Sequence, residues 1–371
     1  MSRYYYYLIL INMVANIIAS VPAILLHSHK DGAVSAMILA IFVGTFLVTV
    51  YTRFFNAFPG RTLPELLQKT TAPWFYRPFV FFLAVMWFIA GVITLITFVF
   101  LLIRYLTPEM SINLISLTLI LSVIFGCLMK TERVFYTVEI ILLITIPLIL
   151  FIFFKAYNND HLEWDYVKDA ALYVNKWPNI DAFSACFFLF LGVANLTIFN
   201  RFFTEKQKFG WKQIFIIAVI AMATLFTTYF IPIGFNGLEN IGELVYPWIS
   251  TSDSLRMEYF IIERVLFVFL LFYLGIAFLS ILIHWHASME FLKFVFNLEK
   301  IKYKGKKFGK FIPVPFFIGI SLILVQLLNE YRLFLYTHYF YNALIVIFPS
   351  MCFLFLFIKR RMKYAEQANQ K

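Results

Sequence analysis

The chain has 371 residues, of which 62% are hydrophobic and only 14% are charged, and its mean hydropathy is +0.83. A soluble domain averages about a quarter charged residues, so this composition excludes a soluble globular protein and indicates that lipid surrounds most of the chain. The net charge of +11 would suit a nucleic-acid partner, but base-binding patches need a soluble surface that we do not expect here, so we predict no nucleic acid.

Apolar runs between charged or Pro/Gly-rich breaks predict ten membrane-spanning helices, since about 20 apolar residues cross a bilayer. The first run is too long for a cleavable signal peptide and is interpreted as span 1. No boundary separates a soluble part, so we predict an all-α polytopic membrane protein with a single domain over residues 1–371. The predicted spans are Tyr4–Leu26, Ala33–Tyr51, Phe79–Ile103, Ser111–Met129, Phe135–Phe154, Ala182–Phe202, Gln213–Phe235, Ile261–Trp285, Phe311–Leu328 and Tyr339–Ile358.

The distribution of Lys and Arg predicts the orientation of these spans. If the N-terminus is inside, 23 of the 31 Lys and Arg residues fall in inside segments, and cytoplasmic loops are enriched in such residues. We therefore expect both termini in the cytoplasm, with a short basic tail at 359–371. The basic run Lys300–Lys310 then lies in an inside loop, against anionic lipid.

Two spans carry polar residues or helix breakers near their midpoints. Span 1 reads NMVANIIASVPAIL, with Asn16 and then Pro22, and span 6 reads FFLFLGVANL, with Gly192 and Asn195. At the bilayer midplane an amide must find a partner inside the protein. Spans 1 and 6 begin two five-span halves, at about 4–154 and 182–358. Paired interruptions in opposed halves predict a five-plus-five inverted repeat with discontinuous helices 1 and 6 and a substrate site between them.

A discontinuous helix exposes N–H groups at the start of one half and C=O groups at the end of the other, and both carry partial charges. The carboxylate and ammonium groups of an amino acid could meet these groups, so few charged side chains would be needed. Trp87 of span 3 could close over such a ligand. The other candidate ligand-binding residues are Ala15, Asn16, Ser20, Leu191, Gly192, Val193, Ala194 and Asn195.

Close helix packing is the alternative interpretation of the same residues. In that case Gly192 and Ala194 are small contacts, and Asn195 bonds a neighbouring helix. Trp87 is then a packed or lipid-facing aromatic residue. The spacing by itself does not separate this alternative from a ligand site.

Glu139 is the clearest charged residue within a span, and it could accept a proton if transport were coupled to protons. The alternative is that Glu139 lies near the cytoplasmic end, pairs with Arg133 and anchors the helix. His284 and His286 point apart on a helix, which argues against a shared metal and favours interfacial anchoring. The sequence has no zinc, phosphate-binding or nucleophile-elbow motif, so we expect no metal, no cofactor and no enzymatic activity.

Four stretches carry a resemblance to a known family. They are FPGRTLPELLQ after span 2, TERVFYTVEIILLITIPLIL in span 5, FLFLGVANL in span 6 and LVYPWISTSDSL before span 8. In this order and spacing the chain resembles the B-subunit family of bacterial spore germinant receptors. The resemblance implies a branch of the amino acid–polyamine–organocation transporters, with the inverted-repeat fold of the leucine transporter.

The resemblance also implies a function. Such proteins lie in the inner membrane of dormant endospores and bind nutrient germinants, often amino acids, near the unwound parts of spans 1 and 6. They act with an A subunit and a lipoprotein C subunit, which would read a ligand-driven shift between conformations. A proton-coupled permease and a ligand-free scaffold are the alternatives. The scaffold rests on Ala15 and on Val193–Ala194, where many relatives carry Gly and an acidic residue.

Overall fold

Helices make up nearly all of the structure, a computed structural model that describes residues 2–15, 20–255, 264–303 and 306–368. Among the described residues, eight helices are long and apolar enough to cross a membrane, and a bent pair at the N-terminus makes a ninth span when the pair is counted as one. The remaining predicted span is a shorter apolar helix of 16 residues, Ile112–Cys127. The prediction of an all-α polytopic membrane protein is therefore confirmed.

The helices follow the predicted order with small shifts of their ends. The α-helices are α1 Ser2–Ala15, α2 Ser20–His27, α3 Ala33–Ala57, α4 Leu63–Thr70, α5 Pro73–Tyr105, α6 Ile112–Cys127, α7 Thr131–Tyr157, α8 Trp164–Ala171, α9 Ile180–Phe188, α10 Leu196–Phe199, α11 Trp211–Asn236, α12 Pro247–Ser254, α13 Val265–Val295, α14 Val314–Leu327 and α15 Glu330–Ala368. The 3-10 helices are Leu172–Asn175, Leu189–Asn195, Asn200–Phe202, Ile241–Glu243, Leu298–Lys300 and Gly309–Phe311. Strands β1 Lys302–Tyr303 and β2 Lys306–Lys307 form a short antiparallel hairpin.

Span 1 consists of α1 and α2, whose axes differ in direction by 51°. The bend agrees with the prediction that span 1 is discontinuous. The predicted ligand residue Asn16 lies outside the described residues.

Span 6 is interrupted in a different way from the one predicted. Its α-helix ends at Phe188 and continues as a 3-10 helix over Leu189–Asn195 before the short helix α10. Because the capping residues Phe188 and Leu196 keep right-handed helical dihedrals, the helix is tightened here and does not unwind. The expected free backbone groups at a break in span 6 are therefore absent from this conformation. A 3-10 stretch inside a helix often marks a hinge or strain.

The packing places span 6 at the centre of the molecule. Its hydrophobic stretch is almost entirely buried, whereas the apolar stretches of α7 and α14 are mostly exposed. α1 lies against the 3-10 segment of span 6, and α5 packs along α13. Large apolar side chains such as Phe42, Phe125 and Phe353 are exposed, as expected for helices that face lipid.

Contacts between helix ends agree with alternating directions of the spans. The hydroxyl of Tyr6, near the start of α1, donates to the carbonyl of Lys208, which precedes α11. At the other ends of the helices, Arg104 of α5 forms an ion pair with Glu330 of α15 at 2.6 Å. The N-terminus and the basic segment before α11 thus lie at one face, which we call the basic face. That this face is cytoplasmic, and that the two halves are related by inverted symmetry, stay predictions.

The FPGRT part of the FPGRTLPELLQ stretch forms a loop that is attached to the end of span 6 by hydrogen bonds. Gly60 has φ +74°, and its N–H donates to the carbonyl of Phe203 at 2.8 Å. The side-chain amide of Asn200 donates to the carbonyls of Phe58 and Arg61, both at 2.9 Å. The loop after α3 therefore depends on the position of span 6.

A capping box starts the helix that follows this loop. The hydroxyl of Thr62 accepts a hydrogen bond from the N–H of Glu65, and the carboxylate of Glu65 accepts one from the N–H of Thr62. We expect Thr62→Ala to lower the free energy of unfolding by about 1 kcal/mol, because the N-terminus of α4 loses its cap. Thermal unfolding of the purified protein measures this change. Thr62→Ser keeps the hydroxyl and is expected to melt close to the wild type; an equal loss in both variants would contradict the capping role.

Candidate functional site

A small cavity lies at the centre of the bundle, among α1, α5, α13, α15 and the 3-10 segment of span 6. It leaves about 20 Å³ for the centre of a water molecule. A single buried water needs roughly 10–15 Å³ by that measure, so the cavity has room for about one water and none for an amino acid. The lining residues are Asn12, Met86, Trp87, Ala90, Phe188, Leu191, Ala194, Asn195, His284, Phe340, Leu344 and Phe348.

Trp87 and Asn195 are joined across this cavity by a hydrogen bond of 2.9 Å from the indole Nε1 to the amide Oδ1. An indole N–H can only donate, so the amide must present its oxygen to Trp87 and its NH₂ group elsewhere. That NH₂ group is buried and has no hydrogen-bond partner. A buried amide without a partner costs roughly 1–3 kcal/mol, so Asn195 has an unused donor at the cavity.

Gly192 brings span 6 and span 1 into backbone contact. A Cβ atom at this position would lie 2.4 Å from the carbonyl oxygen of Ile9 and 2.8 Å from that of Leu8. Only glycine allows this approach. One turn earlier in span 6, the carbonyl of Phe188 accepts a hydrogen bond of 3.3 Å from the side-chain amide of Asn12. The role predicted for Gly192 in the packing alternative therefore matches its position.

The two described ends of the bend in span 1 pack against α13 and α15. The hydroxyl of Tyr273 in α13 donates to the carbonyl of Ala15 at 3.1 Å. This bond satisfies a carbonyl that a helix C-terminus leaves without a partner. After the bend, Ser20 is buried at the start of α2, which packs against α15. Ala15 and Ser20 thus contact neighbouring spans and do not line the cavity.

His284 is a cavity residue that the sequence interpretation assigned to the interface. It is 6% exposed, and its Nδ1 lies 2.6 Å from the carbonyl of Ser280. A carbonyl only accepts, so Nδ1 carries a proton, and in the neutral ring Nε2 is an acceptor. His286 is also buried and contacts Thr131 and the carbonyl of Cys127. The prediction of interfacial anchoring is therefore wrong for both histidines, because α13 is covered on these sides by neighbouring helices.

The structure brings together about half of the predicted ligand residues. Trp87, Leu191, Ala194 and Asn195 line the cavity. Gly192, Val193, Ala15 and Ser20 are buried beside it without lining it. The sequence interpretation did not select Asn12, whose amide in mid-span was an available signal, or His284. It also missed the apolar residues of span 10, Phe340, Leu344 and Phe348, which carry no distinguishing signal in the sequence.

Glu139 lies away from the cavity, near the start of α7. Its carboxylate forms an ion pair with Arg3 at 2.9 Å and accepts a hydrogen bond of 2.7 Å from the hydroxyl of Tyr4. The expected partner Arg133 is therefore replaced by Arg3 of α1. These contacts fit the anchoring alternative, since they connect span 1 to span 5 on the basic face. Its possible role in proton coupling stays a prediction.

A buried ion cluster lies in α13, toward its end at the basic face. The sequence interpretation missed this cluster. The carboxylate of Glu290 is 9% exposed and pairs with Lys293 at 2.5 Å and with Arg201 at 3.1 Å. Arg201 stands at the end of span 6, so the cluster connects span 6 to α13. Among the described residues, no group of three or more His, Cys, Asp or Glu side chains is arranged to hold a metal ion.

The comparison with protein families agrees with this architecture. Residues 3–332 match the family described as spore germination protein. The chain belongs to the spore germination protein family. No single curated protein matches the chain. In this spore germination protein the matched region runs from α1 to the first turn of α15 and contains most of the cavity. The family assignment supports a germinant-receptor-like or permease-like membrane protein.

Proposed function

We propose that this spore germination protein is the B subunit of a nutrient germinant receptor and that it binds a small nutrient, an amino acid, in the central cavity. The observation that carries the proposal is the side-chain amide of Asn195. It is buried near the middle of span 6, its NH₂ group has no partner, and it borders a cavity that the imidazole of His284 and the side-chain amide of Asn12 also line. A donor and an acceptor at one cavity suit the carboxylate and ammonium groups of an amino acid.

Binding requires a second conformation, because the cavity has room for only about one water. The 3-10 segment of seven residues supplies a route to it. Rewinding these residues into an α-helix would shorten the segment by about 3.5 Å, since the rise per residue falls from about 2.0 Å to 1.5 Å. Nutrient would favour the conformation in which it makes more contacts, and the equilibrium would shift accordingly.

The proposed function also involves a particular membrane, an orientation and partner subunits. The protein would reside in the spore inner membrane with both termini in the cytoplasm, and it would act with an A subunit and a lipoprotein C subunit. The positive charge of the basic loops supports the orientation. The partner subunits rest on the family resemblance alone, and they would detect the change in span 6.

The direct test uses purified protein and a panel of amino acids and sugars. We expect at least one amino acid to raise the melting temperature, because a ligand that binds only the folded state stabilises it by mass action. Asn195→Leu is expected to abolish that increase and the germination response of spores that carry it. The matched control is Asn113→Leu, the same change at an exposed residue of α6, which should leave both unchanged.

The alternatives predict other outcomes of the same experiments. If no nutrient stabilises the protein, a ligand-free scaffold is favoured. The conformation with the small cavity would then be the resting state of the protein. If proteoliposomes containing this chain alone accumulate labelled amino acid under a proton gradient, a proton-coupled permease replaces the sensor.

A further inference from the structure

A groove opens where α4 ends, α5 begins and the second half of α15 passes. Its volume of about 630 Å³ is far larger than that of the central cavity. The residues of α15 that line the groove are Leu354, Phe357 and Arg361. Their spacing of three and four residues puts them on one side of the helix. Its opposite wall includes Lys69 and Trp74. The groove therefore combines apolar walls with two cations.

Neither cation has an anionic partner among the residues that the structure describes. The ion pairs among the described residues include neither Lys69 nor Arg361, and both side chains are exposed. The guanidinium of Arg361 lies 5.4 Å from the ring centroid of Phe357. This contact directs the guanidinium along the groove wall. Two unpaired cations at one groove indicate an anionic ligand.

The position of the groove along the helices fits the boundary between hydrocarbon and headgroups. In α15 the sequence changes from the apolar FLFLFI to the cationic KRRMK at Lys359, within the stretch that lines the groove. Trp74 is 78% exposed, and tryptophan is enriched at membrane–water interfaces. One end of the groove thus faces headgroups, and the other faces acyl chains.

We propose that this groove binds one anionic phospholipid of the leaflet at the basic face. The phosphate diester is held by Lys69 and by the guanidinium of Arg361, which can bind two phosphate oxygens at once. The glycerol and the first acyl carbons lie against Trp74, Phe357 and Leu354. This site is separate from the central cavity, so the inference does not depend on the nutrient proposal.

The test measures lipid binding to the purified full-length protein in detergent, by native mass spectrometry and by thermal unfolding. Phosphatidylglycerol is the probe, and phosphatidylcholine and inorganic phosphate are the comparisons. The double variant Lys69→Gln/Arg361→Gln is expected to weaken phosphatidylglycerol binding roughly tenfold. Trp74→Ala, which keeps both charges, should weaken it about threefold. Without added lipid, both variants should melt like the wild type, because the substituted side chains are exposed.

The matched control is Lys206→Gln/Lys212→Gln, which removes the same charge from exposed positions of the basic face outside the groove. It should bind phosphatidylglycerol as the wild type does. Equal weakening in both double variants would overturn the proposal, because attraction to the whole basic face would then explain binding. Equal binding of phosphatidylcholine, or stabilisation by inorganic phosphate alone, would overturn it as well.

Discussion

Replacement of Gly192 by Leu is expected to lower the free energy of unfolding by about 3 kcal/mol or more and to abolish the nutrient response. The first side-chain carbon would lie 2.4 Å from the backbone oxygen of Ile9, and the nearest atoms are all backbone atoms of α1. Backbone cannot rotate away as a flexible side chain does, so α1 and span 6 must separate. Added volume in a tightly packed interior costs roughly 1–3 kcal/mol and occasionally more.

The effect of Gly192→Leu is measured by thermal unfolding of the purified protein and by germination of spores that carry the variant. Membrane insertion should persist, since the hydropathy of span 6 increases. The control is Gly319→Ala in α14, where an added Cβ meets no atom within 4 Å. We expect that control to be neutral or slightly stabilising, because alanine favours helix over glycine by up to about 1 kcal/mol. Wild-type stability and response in Gly192→Leu would rule out the close approach of spans 1 and 6.

The second large effect is expected at the buried ion cluster. Glu290→Ala removes the carboxylate between Arg201 and Lys293 and leaves two cations near each other in a mostly buried position. Removing one member of a buried ion pair costs roughly 3–5 kcal/mol; we expect about 3 kcal/mol here, because Arg201 is partly exposed and reaches water. The connection between span 6 and α13 weakens at the same time.

Thermal unfolding of Glu290→Ala, of Lys293→Met and of the double variant measures this interaction. The double variant should lose less than the sum of the single losses, since the substitutions remove parts of one cluster. The control is Asp165→Ala, which breaks the exposed pair with Lys168 in α8 and should change stability by less than about 1 kcal/mol. If Glu290→Ala is as mild as Asp165→Ala, the cluster contributes nothing specific.

The sequence by itself was enough to predict the positions of the helices in this protein. Lipid cannot satisfy backbone hydrogen bonds, so any long apolar run must become a helix, and each of the ten predicted runs contains one. We did not predict the capping box of Thr62-Leu63-Pro64-Glu65, although its residues stand together in the sequence. Such features depend on neighbours in the chain, which the sequence states directly.

The sequence predicted where spans 1 and 6 are interrupted, but it predicted the backbone conformation of the interruption only for span 1. Span 1 bends between α1 and α2, as Pro22 and the polar residues around it indicated. In span 6, Gly192 predicted a break, but the segment is wound into a 3-10 helix. Glycine weakens helix propagation, yet here the contact with the carbonyl of Ile9 holds the segment in place. A contact between residues so far apart in the chain is not visible in local spacing.

The sequence determined the helical architecture of this spore germination protein, because lipid is the solvent of its apolar runs. It also indicated the bend of span 1 and the choice of Asn195 as a candidate ligand residue, because polar groups within apolar runs are conspicuous. Only the tertiary structure decided the partner of each polar group. It pairs Asn195 with Trp87, Glu139 with Arg3 and Glu290 with Arg201, and it buries His284. The physical reason is that hydrophobicity sets how deeply a segment lies in the membrane but carries no information about rotation around the helix axis. Packing against other helices fixes that rotation, and with it the lining of the cavity.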